Sequence, residues 1–432
     1  MGTKTIKLPY GGILLHNRNN VNKAINVQIN FKVGSANTAY KPGLLHFGEH
    51  LRANRTKDLT KQQIIEENSK KSITFGASTS KNKVEFYLFS HKKYFKNSFS
   101  SLIDVMLFDK MTNIEFETEK KIIIAEINRT KTDINRQFYI KSNKIIYTNK
   151  YYHINNIGEE KNVVKYTNKQ VQNHISKIIN SNNLVVSISG NITSFFAKRY
   201  VKKILVSQIS HEKPEVIALD MDPVFAEKSK FFLSKTEYEA NTVLIVIPTK
   251  ISNCKDLKQL IIIGYIEDLI GGGNGEIYKS LRLKSGLIYT SSTFDSDDSQ
   301  SFYIKFQTKK ENINKTIEIV AEVLKNISMS PLKKKELDEI DKINKELSHT
   351  LTNSRIAERA SEQFLKYEKI IKRRLVENIK RKITVSDINS AIKNMMTDNK
   401  VFVIVEGDAD KKDVMPIKKI EKLFFCNTAQ KN

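Results

Sequence analysis

His46, Phe47, Gly48, Glu49 and His50 gather two imidazoles and a carboxylate in one short stretch, in the order HxxEH. On a helix, positions three and four apart share a face, so both imidazoles can reach one cation while Glu49 projects beside them. Two neutral imidazoles and a carboxylate suit zinc and leave a fourth position for water. Bound zinc lowers the pKa of that water towards ~7, and a neighbouring carboxylate can then take its proton. Residues 43–51, following Pro42, read as the helix that this geometry needs. The competing reading is a pair of exposed helix histidines salt-bridged to Glu49. A third ligand elsewhere in the chain would decide between the two.

Residues 119–128 read EKKIIIAEIN, a helical pattern with an apolar isoleucine face. Glu119 and Glu126 share one face of it, about 10 Å apart along the axis. One of them is expected to touch the metal, and spacing alone does not say which. His16, His91, His153, His174, His211 and His349 show no ligand spacing and read as structural or exposed. Cys254 and Cys426 are far apart and lack CxxC spacing, which excludes a disulfide framework and a cysteine zinc site. They read as two reduced thiols.

These helices need a frame, and an internal repeat supplies it. Residues 167–191 (TNKQVQNHISKIINSNNLVVSISGN) align without a gap on residues 384–408 (TVSDINSAIKNMMTDNKVFVIVEGD), at an offset of 217. Each copy gives a Thr N-cap, apolar positions at helical spacing, a polar turn, a β-branched strand and a closing glycine. Upstream, Val27, Ile29, Phe31 and Val33 alternate with polar residues as a half-buried strand does, and residues 243–247 supply a more continuously apolar counterpart. The expected class is α+β. Two homologous domains, each a mainly antiparallel sheet with helices on one face, span residues 1–210 and 226–432, joined by a linker at 211–225 that holds Pro214 and Pro223.

The 432 residues are enough for two cores, and the 40% apolar fraction supports globular folding. The formal charge of +25 could attract nucleic acid, anionic membrane or acidic peptides. A chain crowded with Lys, Asn and Ile and lacking Trp equally fits an AT-rich codon bias, and we expect neither a nucleic-acid nor a membrane partner. No signal-peptide core follows Met1, position 6 breaks the myristoylation pattern, and the apolar run 260–266 is far too short for a span. The expectation is a soluble, cytoplasmic protein.

HxxEH followed by a helix carrying ExxxxxxE resembles the pitrilysin–insulysin family of zinc metallopeptidases, which includes the mitochondrial processing peptidases. Val33-Gly34-Ser35 and residues 43–47 (GLLHF) match the family's VGS and GLAHF. In the second half, Gly271-Gly272-Gly273 and residues 281–289 (LRLKSGLIY) are similar to its GGG…LRxxxGLxY. The resemblance covers essentially the whole chain and matches the half-length type. It implies one zinc per chain on His46, His50 and Glu126, with Glu49 as general base and Glu119 supporting the site or assisting catalysis. Arg282 and Tyr289 would contact the substrate backbone and the developing charge; guanidinium and phenol can both donate to an oxyanion.

The edge strand, here Gly76-Ala77-Ser78-Thr79 in place of NAxT, would bind peptide as an added strand, with Gly76 and Ala77 in contact. Residues 52–56 (RANRT) and 274–277 (NGEI) also depart from the family's pattern, which bears on substrate preference and leaves the metal chemistry untouched. The implied activity is endopeptidase cleavage of short or unfolded peptides, inside a chamber closed by two chains. Those chains would form a homodimer, or a heterodimer with a related subunit. The alternatives are a processing protease that removes the leader of a ribosomal peptide, and a non-catalytic partner subunit.

Overall fold

The computed structural model describes residues 2–212, 221–251, 253, 255–271, 275–288, 290–296, 300–330, 332–347 and 352–425. Tyr289, Gly272, Gly273, His349, both cysteines and the centre of the expected linker lie outside them.

The chain is α+β, with two sheets. The first runs β1 (Lys4–Lys7), β2 (Ile13–Arg18), β6 (Leu184–Gly190), β3 (Ala24–Phe31), β5 (Val84–His91), β4 (Thr74–Thr79). The second runs β7 (Lys230–Lys235), β11 (Phe402–Gly407), β8 (Asn241–Pro248), β10 (Ser301–Thr308), β9 (Ser291–Ser296). Every pairing is antiparallel except β2 with β6 and β7 with β11. The repeat thus runs through four consecutive strands of each sheet, beyond the one upstream strand pair read from the sequence. β2, β3, β4 and β5 begin at residues 13, 24, 74 and 84, and their counterparts β7, β8, β9 and β10 at 230, 241, 291 and 301. The offset of 217 holds without a gap from one sheet to the other.

On one face of the first sheet, Val27, Ile29, Phe31, Val186 and Ile188 pack beneath helices that include Phe95–Leu107 and Asn168–Ile178. The polar residues alternating with them in β3 are not on the solvent side, as an alternating pattern implies. Asn26, Gln28 and Asn30 are buried. They lie on the opposite face, which the helix Asn353–Tyr367 covers with Ala360 and Phe364 against Leu15 and Val185. Asn30 Nδ2 donates to Ser361 Oγ at 3.1 Å, and Asn353 Nδ2 to the Ala24 carbonyl at 3.2 Å. That polar contact satisfies groups that would be costly to bury unpaired.

The second sheet receives the equivalent segment of the first half. Phe138 is buried, with the Lys305 ammonium 5.7 Å from its ring centre, and Tyr147 Oη lies 2.5 Å from Tyr303 Oη. The two compact units are accordingly Met1–Gln137 with Ile154–Leu219 and Thr350–Arg373, and Phe138–His153 with Asp220–His349 and Arg374–Asn432. Neither is contiguous, as the halves read from the sequence are. Among the described residues, no helix is long and apolar enough to cross a membrane.

Candidate metal centre and active site

The HxxEH residues occupy the helix Leu44–Leu51, which starts after Gly43 in a left-handed conformation (φ +82°). A Cβ there would lie 2.7 Å from the Ile157 carbonyl oxygen, so only glycine fits. Gly48 is needed for a different reason. A Cβ on it would lie 2.7 Å from Cβ of Ile175, and its absence lets the helix Asn168–Ile178 close on the motif helix. Phe47 stacks on Phe116 at 4.8 Å between ring centres, with Ile123 and Ile127 in the same apolar cluster. Phe116 belongs to the helix Asn113–Thr132, which Thr112 and Glu115 start with a capping box. The stack sets the glutamates of that helix against the two histidines.

His46 Nε2 lies 3.4 Å and His50 Nε2 3.5 Å from the same oxygen, Glu126 Oε2. The two rings are 4.6 Å apart between centres, crossing at 72°. Around a tetrahedral zinc with ligands at about 2.0–2.2 Å, neighbouring donor atoms stand about 3.4 Å apart. The three side chains therefore fit that ion in number, type and spacing. Among the described residues, His46, His50 and Glu126 form a group able to hold a metal, with ligand atoms within 4.8 Å of one another.

Glu119, the other candidate ligand, turns to the opposite nitrogen. Its Oε2 lies 3.4 Å from His50 Nδ1, which fixes the tautomer that leaves Nε2 free for a cation. Glu49 is 6% exposed, with Oε2 3.4 Å from His46 Nδ1, and Thr79 Oγ1 donates to the same oxygen at 3.3 Å. Burial pulls both imidazoles down in pKa, but the carboxylates outweigh it. Hydrogen bonds with Glu126 and Glu49 hold His46 above its ordinary value, and those with Glu119 and Glu126 push His50 up to about 9. The same contacts with His46 and His50 hold Glu126 far below the usual carboxylate range. The site is a pocket of negative charge looking for cations, whether protons or a metal.

β4, with Gly76 and Ala77, is the free edge of the first sheet, so its outer hydrogen-bonding groups can accept an added strand. Thr79 at its end links that edge to Glu49. Arg282 is half-buried in the second unit, where Nη1 donates to the Ile288 carbonyl at 2.9 Å. Two supporting residues escaped the sequence reading because residues 52–56 stood only as a departure from a pattern. Asn54 Nδ2 donates to Glu119 Oε1 at 3.0 Å. Arg52, 3% exposed, ends the motif helix and clamps it by donating to the Leu107 carbonyl at 2.8 Å and Ser176 Oγ at 2.6 Å.

At offset 217 the second unit carries Ile263 and Ile266 where the first has His46 and Glu49, and both isoleucines are buried core residues. At the position of His50 it carries Glu267, so the second copy keeps neither motif histidine nor a carboxylate at the position of Glu49.

Residues 14–151 match the family model for insulinase (peptidase family M16), and residues 165–344 match that for the peptidase M16 inactive domain. An uncharacterized zinc protease of Rickettsia bellii (strain RML369-C) is 22% identical over 343 residues, covering 78% of this chain and 80% of its own. A protease from Helicobacter pylori shares the fold with a TM-score of 0.81 at 18% identity, over 94% of this chain and 99% of its own. A peptidase M16 inactive domain from Pseudomonas fluorescens does so with a TM-score of 0.79 at 16% identity, over 95% and 98%.

Proposed function

The chain belongs to peptidase family M16, the insulinase family, and on that premise we propose that it is a zinc-dependent endopeptidase of short or unfolded peptides. The observation carrying this reading is the convergence of His46, His50 and Glu126 at 3.4–3.5 Å, with Glu49 against the same ring system. Bound zinc would polarise the scissile carbonyl and acidify a water. Glu49 would take a proton from the attacking water and return it to the leaving amine. Thr79 orients the Glu49 carboxylate, and Glu119, steadied by Asn54, orients His50. A peptide added to β4 would run past Glu49, bound through its main chain with little demand on its sequence. Arg282 and Tyr289 are assigned to the substrate and its developing negative charge.

The model named for an inactive domain begins at residue 165, after the three metal ligands and Glu49, although it contains Arg282 and Tyr289. It covers the copy in which Ile263, Ile266 and Glu267 stand at the motif positions, so the name does not weigh against the metal site of the first copy.

The reading is tested with the purified chain and a quenched fluorescent peptide library. Cleavage is expected, lost on chelation and restored by zinc; a zinc-loaded chain inert on every peptide would refute it. Two chains are proposed to close one chamber, the first half of each facing the second half of its partner. A His46→Ala chain and an Arg282→Ala chain, each nearly inactive, should then recover activity when mixed, because one intact site forms per mixed dimer. No recovery after subunit exchange would place both motifs of a site within one chain.

The charge state of the site gives a separate expectation. His50 gains a proton below about 9, against 6.5 for a free imidazole, so zinc must displace that proton at neutral pH. Zinc affinity should rise with pH across the neutral range as His46 and His50 lose their protons, with proton release measurable by calorimetry in buffers of different ionisation enthalpy. Affinity independent of pH between 6.5 and 9 would show an imidazole already neutral.

A further inference from the structure

At one end of the first sheet three connections meet. The Asn19 amide donates to the Gly190 carbonyl at 3.0 Å, the Lys92 amide to the Lys23 carbonyl at 2.8 Å, and Lys92 Nζ to Asn191 Oδ1 at 3.0 Å. Large apolar side chains project from this end into solvent. Val21 is 88% exposed, Phe195 66% and Phe196 47%. The phenylalanines sit in the first turn of the helix Ser194–Tyr200, and Tyr200 joins them to the core, its ring near-parallel to Phe196 and tilted against the buried Phe95.

Around this apolar tip basic side chains outnumber acidic ones. The chain following the phenylalanines carries Lys198, Arg199, Lys202 and Lys203, all exposed. The junction beside it adds exposed Lys92, Lys93 and Lys96. The connections at this end, residues 18–23, 91–96 and 190–203, contain no Asp or Glu. At the chain's average of 47 acidic residues in 432, these segments would hold about three. The helix Asn353–Tyr367, whose first residue hydrogen-bonds to Asn19 and Asn22, brings Glu358 and Glu362, and Arg355 pairs with both.

Against the expectation of no membrane partner drawn from composition, we propose that this end of the first unit, led by Val21, Phe195 and Phe196 within its lysine and arginine surround, docks on the surface of an anionic lipid bilayer. Apolar tips that enter the headgroup region beside Lys and Arg are how a protein binds peripherally without a span. Exposed apolar side chains grouped together also mark an interaction surface in their own right. Single-stranded nucleic acid fits the same charge less well. Val21 has no ring face for a base, and the Phe195 and Phe196 rings cross at 76° rather than offering parallel stacking surfaces. The site chemistry stands apart from this surface, so the two readings fail independently.

The experiment is co-sedimentation of the purified chain with vesicles of phosphatidylcholine alone or mixed with phosphatidylglycerol. Binding is expected on the mixed vesicles only, falling at least tenfold when salt rises from low to high. Phe195→Ser with Phe196→Ser should weaken it at least tenfold, and Lys198→Glu with Arg199→Glu at least tenfold. Both double variants should keep the wild-type thermal unfolding midpoint, which separates lost docking from lost folding. Equal partition onto neutral vesicles, or unchanged binding by both variants, would overturn the proposal. So would failure to bind vesicles at a salt concentration where a single-stranded oligonucleotide binds.

Discussion

Glu49→Gln is expected to lower kcat/KM for peptide cleavage about 10²–10⁴-fold while leaving zinc near one per chain, the scale at which a positioned general base acts. The amide has the carboxylate's size and can still accept from Thr79 Oγ1, now 3.3 Å away, so the motif helix should not move. What is lost is the capacity to take a proton. The fall should lie in kcat with KM little changed, because Glu49 is assigned no part in holding substrate. Metal analysis and kinetics on one preparation check both halves of the expectation. A variant that loses zinc along with activity would make Glu49 a ligand rather than the base.

Glu126→Ala is expected to abolish stoichiometric zinc binding, because it removes the oxygen on which both Nε2 atoms converge. The loss should exceed the 10–100-fold that an outer contact such as Glu119→Gln would cost. Stability gives an independent measurement. A ligand that binds only the folded chain stabilises it by about 4 kcal/mol at a thousand times its Kd, so zinc should raise the wild-type unfolding midpoint clearly and that of the variant hardly at all. Full occupancy in Glu126→Ala, with loss in Glu119→Ala, would exchange the roles of the two glutamates.

The two histidines and Glu49 were legible because they are nearly consecutive, and a single helix turn fixes their relation. The third ligand was not legible from spacing. Glu119 and Glu126 share a helix face, and only the distances show them engaging the opposite nitrogens of His50. The strands were legible from alternation, but the environment of their polar faces was not. Asn26, Gln28 and Asn30 look like solvent-facing residues until the helix Asn353–Tyr367 arrives from more than three hundred residues away. Its helical period announces a helix and says nothing about which sheet it covers. Asn54 and Thr79 were invisible for a related reason, since a short polar side chain has no pattern of its own and acquires a role only from what it meets.

The exchanged helices also bear on how the chain is made. The buried contact between Asn30 and Ser361 spans 331 positions. On the ribosome, the first sheet can form its strands and one apolar core, but its other face must wait until residues 353–367 have emerged. During that interval Leu15 and Val185 stand uncovered, a state prone to aggregation. Such distant contacts also slow folding, because the intervening loop must close before the contact can form. A gene encoding two autonomous copies could be cut between them without harm. Here a cut between the copies would leave the first fragment without its lid and the second without Phe138 and its neighbours, which binds the duplicated halves into a single heritable unit.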